Sequence, residues 1–310
     1  MRKNTYIGLG VLVAILVVIP FVAPNNYYLD MAVRILINSV IVISLNLLVG
    51  YAGQISLGHA GFVGIGAYAS AVLPAQLGWH PLLALLAGAA FTAVLALLVA
   101  RPILRLKGYY LAMATLGLGI IVNIILRNEI PFTGGPDGIS VPTMEIFGYA
   151  LAHDIQWYWI SAALLVLCVI GCINLIDSPF GRALRGVHGS EVASRSVGID
   201  ATRYKTIVFV VSAAMASVMG SVLAHYVGFI TPDLSSFFES IELITMVIVG
   251  GMASIFGSIL GAALLTALPQ LLATLEGWET VVFGLILIVC LIFLPRGLLP
   301  TIAERFGRRG

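Results

Sequence analysis

The sequence predicts an all-α, polytopic membrane protein with about ten transmembrane helices and with both termini in the cytoplasm. Of its 310 residues, 60% are hydrophobic and 10% are charged, whereas soluble domains usually carry about 25% charged residues. A soluble protein of this length needs more lysine and glutamate to cover its surface. The net charge of +2, without a long basic tract, argues against nucleic-acid binding.

Ten apolar runs account for the helices, because a helix needs about 20 apolar residues to cross a bilayer. A helix satisfies its own backbone polar groups in lipid, which an open loop cannot do. The runs predict a single transmembrane domain over residues 1–310. The glycine-rich stretches Gly50–His59 and Gly250–Gly257 are expected to divide a crossing into half-helices. The predicted spans are 6–23, 31–49, 60–78, 82–100, 109–127, 157–176, 206–229, 241–256, 258–275 and 280–294.

Basic residues set the orientation, because they favour the cytoplasmic side of a membrane. With the N-terminus inside, all of the 16 lysines and arginines except Arg34 and Arg127 fall on that side. The 4 tryptophans fall near the outer interface, where amphipathic rings prefer to lie. These two observations predict cytoplasmic termini, an outer loop at 128–156 and an inner loop at 177–205.

The inner loop is expected to carry a short helix at 190–198. Ser190 can cap its N-terminus, Glu191 suits the positive end of its dipole, and Gly198 suits a left-handed stop. A helix of about two turns is not stable alone in water, so we expect it to dock. It either packs on its own membrane domain or binds a cytoplasmic partner subunit. The arginines that precede it are Arg182 and Arg185.

The stretch from Gly50 to Tyr68 has glycines every three to five residues, which suits close packing of helix backbones. The alternative is that Gln54, Ser56 and His59 line or gate a polar path through a broken helix. Irregular backbone at membrane depth is tolerated where it faces a cavity. His59 considered alone is typical of a hydrogen-bonded interior histidine.

The sequence contains no pattern that indicates an enzyme, a metal site or a bound cofactor. No lysine follows a glycine, so no phosphate-binding loop is present. The histidines are scattered without partners at metal-ligand spacing. The predicted spans also lack the mid-helix charges that are typical of proton-coupled pumps. We therefore expect the chain to offer a path for a solute and not to hydrolyse ATP itself.

Several stretches taken together resemble the permease subunits of branched-chain amino acid ABC importers. The glycine-rich stretch and the Thr-Gly-Gly-Pro-x-Gly-Ile run look like the LivM type, one of two non-identical permeases in such systems. The resemblance extends from about residue 38 to residue 298. The stretches that carry it are Gly53–Tyr68, Leu106–Gly117, Thr133–Ile139, Pro179–Arg185, Glu191–Ile199 and Leu294–Leu298.

The resemblance implies a coupling site for an ATPase within the inner loop. The family's motif is Glu-Ala-Ala followed by a glycine, and Glu191, Ala193 and Gly198 match it. Val192 stands at the first alanine position, where it adds bulk without charge, so we expect coupling to be retained. The expected coupling residues are Ser190, Glu191, Ala193, Gly198, Arg182 and Arg185.

The resemblance further implies a complex in a bacterial or archaeal cytoplasmic membrane. Its expected partners are a second homologous permease, two ATP-binding cassette subunits, an external substrate-binding protein and the lipid bilayer. The expected solutes are leucine, isoleucine and valine. Two alternatives stay open, which are a urea or short-chain amide permease of the same architecture, and a free-standing channel or secondary carrier.

Overall fold

The computed structural model describes residues 2–23, 25–106, 108–146, 149–151 and 153–272, together with isolated positions between 281 and 301. Most of these residues are helical. In chain order the helices are α1 (Arg2–Val22), α2 (Asn26–Asn46), α3 (His59–Leu77), α4 (Pro81–Ile103), α5 (Tyr109–Asn128), α6 (Ile130–Thr133), α7 (Asp154–Asp177), α8 (Pro179–Gly189), α9 (Glu191–Ser196), α10 (Ala201–Val227), α11 (Phe237–Gly250) and α12 (Ile255–Leu272).

Within the described residues, 7 helices are long and apolar enough to cross a bilayer. They are α2 with its continuation to Tyr51, α3, α4, α5, α7, α10 and α12. The apolar part of α1 is shorter, Tyr6–Val22, and α11 has 14 residues. The predicted tenth span, 280–294, lies largely outside the described residues.

The predicted span 241–256 differs from the structure at both ends. Helix α11 begins at Phe237 and ends at Gly250, and α12 begins at Ile255. In the turn between them, Gly251 and Ala253 have φ angles of 119° and 57°, which a continuous helix cannot accommodate. A break was expected at Gly250–Gly257 and is present, but the apolar run did not show where the two helices end, because its residues are hydrophobic on both sides of the break.

The predicted outer loop at 128–156 contains short helical turns and short strands. The strands depart from the prediction of an all-α chain. Helix α6 and a 3₁₀ turn are followed by two-residue strands. Strand β1 (Ile139–Ser140) pairs antiparallel with β4 (Phe229–Ile230), and β2 (Glu145–Ile146) pairs with β3 (Tyr149–Ala150). These pairings satisfy backbone groups that an extended loop would leave open.

The chain forms two compact units. The first comprises the described residues of Met1–Ile43, Ala152–Asn174 and Met246–Gly310, and the second those of Ser44–Leu151 and Leu175–Thr245. In the first unit, the Tyr158 hydroxyl of α7 donates to the carbonyl oxygen of Leu16 in α1 at 2.7 Å.

Helix α3 lies at the centre of the second unit and packs on α4, α5 and α10. Its backbone touches that of α10, because a Cβ atom on Gly66 would lie 1.9 Å from the carbonyl oxygen of Ser217. Ser70 and Ser221 also form a hydrogen bond across this interface. Small and hydroxyl residues of this kind let helices approach closely in lipid.

Candidate functional site

The helical path of the chain is interrupted between α2 and α3. Helix α2 continues as a π-helical turn, Leu47–Tyr51, and no regular structure follows until α3 begins at His59. We call Ala52–Gly58 the broken segment. The backbone N–H of Ala52 donates to the carbonyl oxygen of Leu47 at 3.2 Å, which closes the π-helical turn, and the N–H of Gln54 donates to the carbonyl oxygen of Leu48 at 2.9 Å. Such turns are frequent at functional sites.

Two polar side chains of the broken segment are buried without hydrogen-bond partners. Gln54 and Ser56 are each 2% exposed, and both amide atoms of Gln54 and the Ser56 hydroxyl find no partner among the described residues. Buried polar groups are almost always hydrogen-bonded, since an unpartnered one costs about 1–3 kcal/mol. These side chains are therefore suited to bind water or a polar solute.

His59 adds one more open polar atom at the start of α3. Its ring is buried, its Nε2 atom lies 2.9 Å from the Ser44 hydroxyl, and the carbonyl oxygen of Ser44 accepts a hydrogen bond from Ser212 of α10. Its Nδ1 atom has no partner within the part of the chain that the structure describes. His59 is thus an interior histidine that is fixed by one ring nitrogen and open at the other.

Neighbouring helices hold the broken segment in place. A Cβ atom on Gly58 would lie 1.9 Å from the carbonyl oxygen of Thr115 in α5, so only glycine fits there. The Leu57 N–H donates to the Thr115 hydroxyl at 3.1 Å, and the Ala60 N–H donates to the Ser240 hydroxyl of α11 at 3.2 Å. The stretch therefore combines close packing of glycines with a buried polar segment.

The inner loop folds into two short helices, where the sequence predicted one at 190–198. Helix α8 was missed, although Ser178 caps it through the Gly181 N–H and Pro179 occupies its first turn, which is a recognised start signal. Phe180 of α8 stacks on Tyr204 of α10 with ring centroids 4.9 Å apart. This contact fixes α8 on the second unit.

The shorter helix, α9, has the predicted caps within narrower bounds. The Ser190 hydroxyl accepts from the Ala193 N–H at 3.2 Å, and Gly198 has a φ angle of 83° just beyond the end of the helix. Glu191 pairs with Arg195 at 3.0 Å and with Lys205 of α10 at 3.7 Å. The Glu191 carboxylate therefore stabilises α9 internally and attaches it to α10.

The exposed residues of α9 include apolar ones beside Arg195 and Ser196. Val192 is 77% exposed, and Ala193 beside it is also exposed.

The two arginines that were expected to take part in coupling bond to the end of α7. Arg182 and Arg185 donate to the carbonyl oxygens of Asp177 and Ile176, at 3.0 Å and 3.2 Å. Cations at a helix C-terminus stabilise its dipole, so these arginines complete the end of α7.

Residues that the sequence did not single out supply most of the partners at this site. Ser44, Thr115, Ser212 and Ser240 lie on four different helices and bond to the broken segment or to its neighbours. A hydroxyl in an apolar run also bonds readily within its own helix. The sequence pattern therefore does not distinguish these four from other serines and threonines.

The second unit also contains an apolar cavity of about 790 Å³ between α3, α4, α5 and α6. Trp79, Phe91 and Phe132 are among the residues that line it, whereas Gln54, Ser56 and His59 are not. A charged solute is poorly stabilised by such walls, so the broken segment is the better candidate for solute contact. Among the described residues, no group of three or more His, Cys, Asp or Glu side chains is placed to hold a metal ion.

Comparison with known proteins gives one family. The profile described as "Branched-chain amino acid transport system / permease component" matches residues 27–294. No solved structure matches the chain significantly.

Curated relatives of two named types align with most of the chain. The chain is 35% identical to the high-affinity branched-chain amino acid transport system permease protein LivM of Escherichia coli, over 93% of this chain and 74% of the relative. It is 34% identical to LivM of Salmonella typhimurium, over 93% and 73%. It is 26% identical to the permease protein LivH of Escherichia coli, over 84% and 90%.

Proposed function

Because the chain belongs to the permease family of branched-chain amino acid transport systems, we propose that it is a transmembrane permease subunit of an ABC importer. It translocates leucine, isoleucine and valine across a bacterial or archaeal cytoplasmic membrane. The observation that carries this proposal is the alignment of 93% of the chain with proteins named as high-affinity branched-chain amino acid permeases.

The same relationship supports a heteromeric assembly. Relatives of both the LivM and the LivH type align with this chain, which is expected if two homologous permeases pair. Two ATP-binding cassette subunits bind ATP and supply the energy, and an external protein delivers the solute. The chain itself is a transport subunit, not an enzyme, and needs no cofactor of its own.

The proposed topology has ten spans in a single permease domain with cytoplasmic termini, so the loop that contains α8 and α9 faces the ATPase subunits. The distribution of lysine and arginine supports this orientation. Ser190, Glu191, Ala193 and Gly198 shape the docking helix α9. Arg182 and Arg185 lie in α8, the helix before α9, and bond it to the last carbonyl oxygens of α7.

The broken segment is the proposed solute path within this chain. A zwitterionic amino acid presents an ammonium donor and a carboxylate acceptor. Gln54 offers both an oxygen and an N–H₂ group, and Ser56 and His59 add atoms that can donate or accept. Neutral groups of this kind bind the charged ends without holding a fixed charge in the membrane, which would be costly.

Alternating access follows if the broken segment moves relative to the helices around it. The short polar connection from Leu57 of the segment to α5, and that from Ala60 at the start of α3 to α11, can be exchanged for others more easily than a continuous helical ladder. ATP binding in the partner subunits would favour one arrangement because the contacts at α9 differ between the two states.

Uptake into vesicles that contain the reconstituted importer tests the function. We expect uptake of labelled leucine to require ATP, the ATPase subunits and the external binding protein, and to be inhibited by unlabelled leucine but not by urea. Inhibition by urea alone would instead identify a urea or amide permease. Flux through vesicles that hold this chain alone would identify a channel or secondary carrier and would contradict the proposal.

A further inference from the structure

The side chain of His188, near the end of α8, lies directly against the broken segment. A Cβ atom placed on Gly53 would lie 2.8 Å from Cδ2 and 3.3 Å from Cγ of this imidazole. The ring therefore occupies the space that a side chain at position 53 would need. Gly53 also has a φ angle of 65°, a conformation that glycine adopts without strain.

His188 is closely linked to the docking helix. Ser190 serves both as the C-terminal cap of α8 and as the N-terminal cap of α9, since its N–H donates to the Gly186 carbonyl and its hydroxyl accepts from Ala193. A single residue thus separates the two helices. A displacement of α9 reaches His188 without passing through a flexible linker.

Gly53 is linked equally closely to the buried polar groups. Gln54 follows it directly, and the Gln54 N–H is bonded to the π-helical turn. A change in the backbone at Gly53 therefore reorients the amide of Gln54 and, two residues on, the hydroxyl of Ser56. Both side chains lack partners among the described residues that would resist such a movement.

We propose that His188 is the positioning residue that transmits displacement of α8 and α9 to the broken segment. The inference rests on the proposed function, because it assigns the contact that joins the ATPase docking site to the solute path. The imidazole acts by van der Waals contact. When α8 moves toward Gly53 the ring pushes the backbone of the segment, and when α8 withdraws the segment relaxes. Coupled elements with two packed arrangements transmit motion in this way.

The test measures two rates in the same vesicles that contain the complete importer, which are leucine uptake and ATP hydrolysis. For His188→Ala we expect the leucine transported per ATP hydrolysed to fall about fivefold or more, which is the lower range of measured coupling between sites. ATP hydrolysis should persist, since the docking surface of α9 is intact. His188→Phe keeps a ring at this position and should restore most of the ratio.

His153→Ala is the matched control, because His153 is an exposed histidine that precedes α7 in the first compact unit. Its ratio should equal that of the wild type. An unchanged ratio in His188→Ala, whether both rates fall together or neither changes, would overturn the proposal. If the alanine variant fails to assemble, His188→Gln removes the ring while keeping a polar side chain, and the same ratio decides. Absence of leucine uptake by the wild-type importer would instead contradict the proposed function.

Discussion

Replacing Gln54 by leucine separates a structural from a functional role, because the two roles predict opposite effects. Leucine keeps most of the volume of the side chain and removes both amide atoms. Since these atoms have no partner among the described residues, the variant should unfold at an equal or higher temperature. If Gln54 contacts the solute, leucine uptake should nevertheless fall.

The structure sets the size of both effects. Each unpartnered buried polar atom costs about 1–3 kcal/mol, so removal of the two amide atoms gains about 2–6 kcal/mol, and the branched shape of leucine costs about 1 kcal/mol of packing. The net expectation is a gain of about 1–5 kcal/mol in the free energy of unfolding. A lost hydrogen bond to a charged solute group is worth about 1.5–3 kcal/mol. Loss of this hydrogen bond in Gln54→Leu should therefore slow leucine uptake about 10- to 100-fold.

Thermal unfolding of the purified importer and ATP-driven leucine uptake are the two assays. Gln76→Leu is the matched control, because the Gln76 amide is exposed and donates to the carbonyl oxygens of Pro131 and Phe132 at 3.1 Å and 3.2 Å. That variant should lose stability and keep uptake. Uptake at the wild-type rate in Gln54→Leu would refute the path. A loss of stability would mean that the Gln54 amide is satisfied by groups of the assembled importer.

Two further predictions concern packing and docking. Gly66→Ala should destabilise the protein by about 1–3 kcal/mol, because the added methyl group meets the rigid backbone of Ser217. Gly117→Ala is the control, because its added methyl group meets nothing within 4 Å, and it should gain a few tenths of a kcal/mol or more from helix propensity. Thermal unfolding measures the stability of both variants, and equal stabilities would contradict the α3–α10 contact. Glu191→Arg places a third cation beside Arg195 and Lys205 and should reduce both co-purification of the ATPase subunits and uptake. Unchanged values for both would refute the docking role of α9.

The membrane helices could be predicted closely, because each one is an uninterrupted apolar run. The prediction 60–78 became α3 at His59–Leu77, and 109–127 became α5 at Tyr109–Asn128. The span 241–256 differs more because hydropathy does not record the positive φ angles of Gly251 and Ala253. Composition specifies which residues lie in lipid, whereas backbone conformation decides where a helix stops.

The candidate site could be proposed from the sequence only where its residues are adjacent in the chain. Gln54, Ser56 and His59 stood out as polar residues between apolar runs. The contact between His188 and Gly53 joins distant parts of the sequence, and neither a histidine nor a glycine by itself predicts such a contact. Periodicity and spacing describe one helix at a time, so a contact that depends on how α8 folds back onto the broken segment is not encoded in them.

The neutral character of the broken segment bears on the source of energy. A carrier powered by a proton gradient needs a group inside the membrane that changes its charge, and such groups are acidic or basic. Gln54 and Ser56 do not change their charge at physiological pH, so we expect their state to be changed by moving the backbone that carries them. A neighbouring element can supply such a displacement, and α8 contacts the segment at Gly53. The uncharged side chains of Gln54 and Ser56 and this mechanical contact are thus consistent with the proposed energy source outside this subunit.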